Sequence, residues 1–339
     1  MPSVTVVVAS YNSRDFLGAA VNSVLQQTFQ DFELIIVDDC STDGSFLLAK
    51  SISELDGRIR VLRTQINSGP ASARNLAIKN AHGEWLAILD ADDVWLAPKL
   101  ALQMENAKTI GSRAVLVGSS MYQISEAGER IDCYRYPTRS LFLKSDLVRR
   151  SRFPPHSSLL YRLSTVMGLG GFRERFRWAE DLDLWLRMLE LGDFSCISEP
   201  LIEYRNHRGN VGKRRSSEGF IGLDFGLAAM VCYLLRSRGL RDPSFCEREE
   251  VWGRFMNHVH AWNVKYDLDG YSNFKIELRG DVFSRGKIYA RAVAAARNAR
   301  EHPSFFWRFI REKADSLNYA ERCCNSWIAV EKEVMPLLV

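Results

Sequence analysis

A chain of 339 residues can bury one large core and carry a smaller unit beside it, and its 46% hydrophobic and 25% charged residues are the composition of an ordinary globular protein. The formal net charge of +4 is too small to imply nucleic acid as a partner. Seven cysteines, at 40, 133, 196, 232, 246, 323 and 324, are odd in number and form no CxxC pair, which fits packing roles in a reducing compartment rather than a disulfide framework.

The amino terminus, "MPSVTVVVAS", has neither the basic start nor the small-residue cleavage site of a secretory signal, so a cytoplasmic chain is expected. Valine- and isoleucine-rich runs at 4–9, 34–37, 59–62 and 85–89 alternate with segments of helical spacing, which predicts parallel β-α-β units. The first helix shows one apolar face, Phe16, Leu17, Ala20, Val21, Val24 and Leu25. In "NSGPASARNLAIKNAHG" Ser68 is placed to cap a helix, Pro70 to stand in its first turn and Gly83 to stop it, and Pro98 opens another helix. From about residue 113 shorter strands and loops are expected, beginning with "RAVLVGSSMYQI" and continuing through an irregular "RYPTRSLFLKSDLVRRSRFPPHSSLLYR". Residues 179–191 read as a helix with Leu182, Trp185, Leu186 and Leu189 on one face, and "DFSCISEPLIEYR" as extended chain. After about 216 the pattern is mainly helical. Its most apolar stretch, residues 220–235, includes Asp224 and is shorter than the roughly 20 residues of a spanning helix.

Ligands of open α/β sheets bind beyond the carboxyl ends of the strands. Three stretches reach that edge: "ASYN" (9–12), "VDDCSTDGS" (37–45) and "LDADD" (89–93). Carboxylates gathered there need neutralising, and the spacing of Asp90 and Asp92 suits a hard divalent cation shared with a diphosphate. A solvated turn, or capping of the helix after Pro98, explains the same aspartates equally well.

The ordered combination decides between these readings. "VTVVVASYN", "SVLQQTFQDFELIIVDDCSTDGS", "NSGPASARNLAIKNAHGEWLAILDADDVW" and "WAEDLDLWLRML" resemble, in that order and over roughly residues 3–210, the family 2 glycosyltransferases of the GT-A fold, in the type that serves bacterial polysaccharide biosynthesis. The resemblance implies an α/β fold, a Rossmann-like mixed sheet flanked by helices, to which the residue pattern after 216 adds a mainly helical carboxy-terminal extension. It places a glycosyltransferase domain at 1–215, with a nucleotide-binding half at 1–112 and an acceptor half at 113–215, and the helical region read from the sequence at 216–339 lies outside the resemblance. Ala9 and Tyr11 would lie at the base of a nucleotide-sugar donor and Asp39 at a uracil edge, with Asp38 or Asp43 and Ser41 supporting that loop. "DADD" matches the DxD motif: Asp90 would face the ribose or sugar, Asp92 would hold Mn²⁺ or Mg²⁺ against the diphosphate, and Asp93 would share either task. Arg74 would reach the donor or pair with a carboxylate of the cluster. In "AEDLDLWLR" the base maps onto Asp181, beside Glu180, with Asp183 the nearest competitor. "GLGGF" (168–172) resembles the loop that lets acceptor and donor approach closely, and Trp178 would present a face to a sugar ring.

"YRNHRGNVGKRR" (204–215) carries five lysines and arginines and no acid. A histidine at a comparable place in relatives helps hold metal or diphosphate, so the resemblance makes His207 a further metal ligand, with Lys213, Arg214 and Arg215 closing over the phosphates or forming a solvated loop. His258 and His260, two apart on a helix, point to different sides and receive no metal role. The expected acceptor is a saccharide or a lipid-linked glycan. The Arg-rich segment from Arg291 to Lys313 would rest on a membrane surface, pack a homodimer or simply complete a core. A dinucleotide-dependent oxidoreductase is disfavoured because "ASYN", not GxGxxG, follows the first strand, and a nucleotide-binding module without catalysis because "DADD" and "ED" are both intact.

Overall fold

The computed structural model describes residues 1–150, 153–207, 222–267 and 316–334. The chain divides into two compact units, one of Met1–Leu147 with Arg152–Gly212, the other of Val148–Ser151 with Lys213–Val339.

The first unit is built on one nine-stranded sheet. Its opening half repeats strand and helix: β1 (Val4–Ser10), α1 (Arg14–Leu25), β2 (Phe32–Asp38), α2 (Ser45–Ser53), β3 (Ile59–Arg63), α3 (Pro70–Lys79) and β4 (Trp85–Asp90). These four strands pair in parallel in the order β3-β2-β1-β4. The predicted apolar runs therefore form adjacent strands whose carboxyl ends share one edge. Val4, Val6 and Val8, Leu34 and Ile36, and Ala87 and Leu89 are buried in one cluster with Leu17, Val21 and Val24 of α1. The helix thus covers its strands through the stripe seen in its sequence.

Two expected end signals act differently. α3 is preceded by Gly69 at φ 86°, with no side-chain cap. Instead, the Asp39 carboxylate accepts from the amides of Ser68 at 3.0 Å and Gly69 at 2.7 Å, so a remote acid takes the place of a local Ser68 cap. The helix ends at Asn80. Gly83 lies beyond it, where a Cβ would stand 2.4 Å from the Thr5 amide nitrogen. Close approach to β1, rather than helix termination, is what Gly83 provides.

The second half comprises β5 (Val94–Trp95), α4 (Lys99–Ile110), β6 (Ala114–Ile124), β7 (Arg130–Tyr134), α5 (Ser140–Arg150), β8 (Leu160–Arg162), α6 (Leu163–Gly168), α7 (Glu180–Met188) and β9 (Asp193–Arg205). β8 joins antiparallel to β4, and the sheet continues β8-β6-β9-β5 with β7 on β6. It is a mixed sheet, as the family resemblance implied. The strands after 113 are not uniformly short, since β6 has 11 residues and β9 has 13. Their parallel pairing shifts register around Ser119 and Ser120. Those bulges, within the small polar run Gly118-Ser119-Ser120, interrupt the period-two pattern by which a long strand is recognised.

The second unit contains α8 (Gly222–Ser237), α9 (Glu249–Asp267) and α10 (Ser316–Val334). Its core includes Phe255, packed on Trp252 and Trp327 at ring distances of 5.5 and 5.2 Å. In the interior Asp224 accepts from Asn263 Nδ2 at 2.7 Å and meets His260 Nδ1 at 2.9 Å. His258 packs between Trp262 and Trp327 instead, in keeping with two histidines on different sides. Among the described residues no helix is long and apolar enough to cross a membrane. Lys213, Arg214, Arg215 and the segment from Arg291 to Lys313 lie outside the described residues.

Candidate active site

β1 and β2 end in register, Ala9 opposite Val37 and Ser10 opposite Asp38, and β4 ends beside them with Asp90 opposite Ala9. Three separate motifs are thereby brought to one edge. Tyr11 is 43% exposed there, while the residues around it are anchored. Asn12 donates its amide to Ser41 Oγ at 3.0 Å and accepts from Thr42 N at 2.9 Å. Asp38 accepts from Ser41 N at 3.1 Å and pairs with Arg63 Nε at 3.1 Å. Asp43 accepts from the amides of Arg14 and Ser45, the first residues of α1 and α2. Asp38, Asp43 and Ser41 thus tie the loop after β2 to the start of α1 and to itself. Asp39 is buried, and besides the two amides before α3 it accepts from Thr64 Oγ1 at 2.7 Å.

The aspartates after β4 do not cap α4. β5 intervenes, and Pro98 precedes α4 with no side-chain cap. Each aspartate has different partners. Asp90 accepts from Arg74 Nη2 at 2.8 Å. Asp92 Oδ2 meets His207 Nε2 at 2.8 Å, and burial, then the charge of Asp90, raises the pKa of Asp92 against the opposing pull of His207. Asp93 is 1% exposed, and its oxygens accept from Ser157 Oγ and from Arg205 N, the latter at 2.8 Å. Asp93 thereby ties the turn after β4 to the end of β9 and to the Ser157 turn.

Arg74 links the two motifs that carry the acids. This buried guanidinium donates through Nη1 to Glu180 Oε1 at 2.6 Å and through Nη2 to Asp90. Burial alone would lower its pKa, yet the charges of Asp90 and Glu180 raise it, so it stays cationic. Of the two alternatives for Arg74, it is the pairing with the carboxylate cluster that is present.

Glu180 and Asp181 open α7, where the helix dipole favours negative charge. Asp181 is half-buried, and its Oδ1 accepts from Leu182 N at 2.6 Å. Burial and the adjacent Glu180 charge raise its pKa to about 7. Asp183, the competitor, is fully buried between Arg173 and Arg187, each of which places its Nε 2.9 Å from Asp183 Oδ2. It is an internal ion-pair centre, closed to a substrate.

Arg187 extends this network to the glycine-rich loop by donating to the carbonyls of Leu169 and Gly171, both at 2.8 Å. From the other side Asn75 donates to Phe172 O at 2.7 Å and accepts from Phe172 N at 2.9 Å. A Cβ on Gly171, at φ 76°, would lie 2.5 Å from Asn75 Oδ1. Glycine is required at that position on both counts. Trp178, just before the acids, is half-buried at φ 61°.

Several residues of this region carry no signal of their own in the sequence. Asn75 was hidden beside Arg74 in "ARN", and Arg205 was one basic residue among five. His156 and Ser157 stood in an irregular stretch where only the double proline of "FPPHSS" hinted at a fixed turn. His156 is buried against Tyr161, Phe172 and Trp185, and burial together with the charge of Arg74 holds its pKa well below the usual histidine range.

Asp90, Asp92 and His207 fit a divalent cation in donor type, being oxygen ligands with an imidazole. Among the described residues no three carboxylate, imidazole or thiol groups converge on one point. A cation here would therefore take few protein ligands, with phosphate and water completing its shell, as Mg²⁺ commonly does.

Comparison with known proteins agrees with this architecture. The profile of "Glycosyl transferase family 2" matches residues 5–158. The Bacillus subtilis protein named "Putative teichuronic acid biosynthesis glycosyltransferase TuaG" is 34% identical over 206 residues, 60% of this chain and 79% of its own length. The Escherichia coli UDP-Glc:alpha-D-GlcNAc-diphosphoundecaprenol beta-1,3-glucosyltransferase WfgD is 29% identical over 217 residues, 63% of this chain and 81% of its own. Among solved structures, residues 1-349 of S. aureus TarS in complex with UDP superpose with a TM-score of 0.57 at 18% identity, covering 100% of this chain and 92% of that one, and so share the fold. With the family profile matching residues 5–158 and a relative 34% identical over 79% of its own length, the chain belongs to glycosyl transferase family 2.

Proposed function

We propose that the chain transfers a hexose from a UDP-sugar to a saccharide or lipid-linked saccharide acceptor, with inversion at the anomeric carbon and with a divalent cation, in the assembly of a bacterial polysaccharide. The observation that carries this reading is the single guanidinium of Arg74, which joins Asp90 at the end of β4 to Glu180 at the start of α7. Donor-side and base-side acids then belong to one site. The UDP held by TarS supports a uridine donor, and the name of WfgD supports a lipid-linked acceptor.

In this reading Ala9, Tyr11 and Asp39 receive the base, and Asp90, Asp92 and His207 face the diphosphate. A bound Mn²⁺ or Mg²⁺ would supply positive charge against the leaving diphosphate. Asp181 takes the proton from the acceptor hydroxyl as the new bond forms to the anomeric carbon and the bond to the β-phosphate oxygen breaks. A carboxylate with a pKa raised to about 7 suits that task, since it is a stronger base than an ordinary aspartate and is still ionised in good part at neutral pH. Arg74 keeps Glu180 paired, and the 168–172 loop forms the wall through which the acceptor enters. We place the reaction on the cytoplasmic side of the membrane, where nucleotide sugars are made.

The test is turnover of a panel of UDP-sugars with Mn²⁺ by the wild type and by Asp181→Asn. Wild-type turnover that is lost in a variant still able to bind UDP supports the base assignment. Equal turnover removes it.

A further inference from the structure

Asp93 and Ser157 have no part in the chemistry just described, yet both are buried and bonded into the turn that carries the donor-side acids. Ser157 lies in the turn after "FPP", more than sixty residues from the DADD motif, and its hydroxyl works in two directions. It donates to Asp93 Oδ2 and accepts the Asp90 amide at 3.1 Å. The other Asp93 oxygen accepts the amide of Arg205, the last residue of β9, at 2.8 Å. Arg205 closes the arrangement by donating from Nε to the Asp92 carbonyl at 2.8 Å, with its guanidinium over the Phe16 ring at 5.1 Å. His207 follows two residues later, and its ring lies 5.2 Å from the same Phe16.

The turn that carries Ser157 is itself held. Its carbonyl accepts from Trp95 Nε1 at 2.7 Å, and the carbonyl of Ser158 accepts from Gln103 Nε2 at 2.7 Å. Ser157 is therefore a fixed post, and the DADD turn and the end of β9 are both tied to it. Asp92 follows β4 and His207 follows β9, 115 positions apart in the chain, and their side chains stand 2.8 Å apart.

We propose that Ser157 and Asp93 are positioning residues for the donor site: the Ser157–Asp93–Arg205 chain sets the separation of Asp92 and His207, and thereby the affinity for a metal-bound nucleoside diphosphate. The inference rests on the donor reading above, and Asp93 enters it by holding Asp92 and His207 in place rather than by contact. Residues that orient metal ligands from behind typically change metal affinity by 10–100-fold when removed.

The measurement is calorimetric binding of UDP with Mn²⁺ to the full chain, repeated by Mn²⁺ electron paramagnetic resonance in the presence of UDP. Ser157→Ala removes the donor to Asp93 and the acceptor of the Asp90 amide together, and raises Kd at least tenfold. Ser157→Thr keeps the hydroxyl and stays within about threefold of wild type. Asp93→Asn, which preserves shape, weakens binding as well, and the double variant Ser157→Ala/Asp93→Asn weakens it by less than the product of the two, because both cut one chain. If Ser157→Ala fails to fold, Asp93→Asn alone carries the test. Wild-type affinity in either folded variant overturns the proposal. Wild-type affinity in Asp92→Asn overturns the donor reading instead, so the two failures are separable.

Discussion

Replacing Asp181 by asparagine separates the two consequences of burying a carboxyl beside another acid. The pKa of Asp181 is raised from 3.8 to about 7, so the folded state binds a proton that the unfolded state has released between those values. Stability therefore falls as pH rises through that window, and the loss is complete above the folded pKa. A shift of about three units corresponds to about 4 kcal/mol, an upper limit on what ionising Asp181 costs the fold near pH 8. Asparagine keeps the acceptor for the Leu182 amide and carries no charge. Asp181→Asn is expected to match the wild type near pH 4 and to exceed it by roughly 1–4 kcal/mol near pH 8, seen as a rise of several degrees in Tm without ligand. The same substitution removes the proton acceptor, and UDP-sugar turnover should fall by about 10²–10⁴-fold. A variant that is more stable at alkaline pH and inactive at every pH is the predicted pair of results. If the stability difference is flat from pH 4 to pH 8, or if turnover survives, the reasoning about this carboxyl is wrong.

Other substitutions probe the surrounding framework. Gly171→Ala forces a Cβ to 2.5 Å from Asn75 Oδ1 at a positive φ, and thermal unfolding should show a loss of about 1–3 kcal/mol, with transfer reduced further than donor binding. Arg74→Gln leaves the buried Glu180 and the part-exposed Asp90 without their cation, and a loss of about 3 kcal/mol in chemical denaturation is expected, most of it from Glu180. Lys99 is fully buried with its ammonium on Gln103 Oε1 and over the Trp95 ring, and burial holds its pKa well below the usual lysine value. The unfolded chain then binds a proton that the folded chain resists, so stability rises with pH, and Lys99→Met should raise Tm more at pH 6 than at pH 9.

The parallel half was legible because each of its strands is a short apolar run with a helix or turn signal on either side, and because a buried parallel strand needs no partner-specific pattern. Asp90, Asp92, Glu180 and Asp181 were legible only as a set, since each alone reads as a capping or first-turn acid. The second half resisted for identifiable reasons. Among its described side chains α5 buries only Leu143 and Leu147 well, while Leu141 and Phe142 are exposed, which blurs the helical stripe. β8 has three residues and takes its place between β4 and β6 through pairing alone. The positioning network was the least visible part, because Ser157, Asp93 and Arg205 meet through a hydroxyl, a carboxylate and a backbone amide that only the folded register brings together.

The most direct test of glycosyl transfer at this site is the configuration of the sugar at the moment it leaves a UDP-α-hexose, followed by proton NMR before mutarotation. A single attack assisted by Asp181 predicts that the β-linked or β-hemiacetal product appears first and that none appears with Asp181→Asn. An α-configured first product, or an unchanged rate in the variant, would contradict the account.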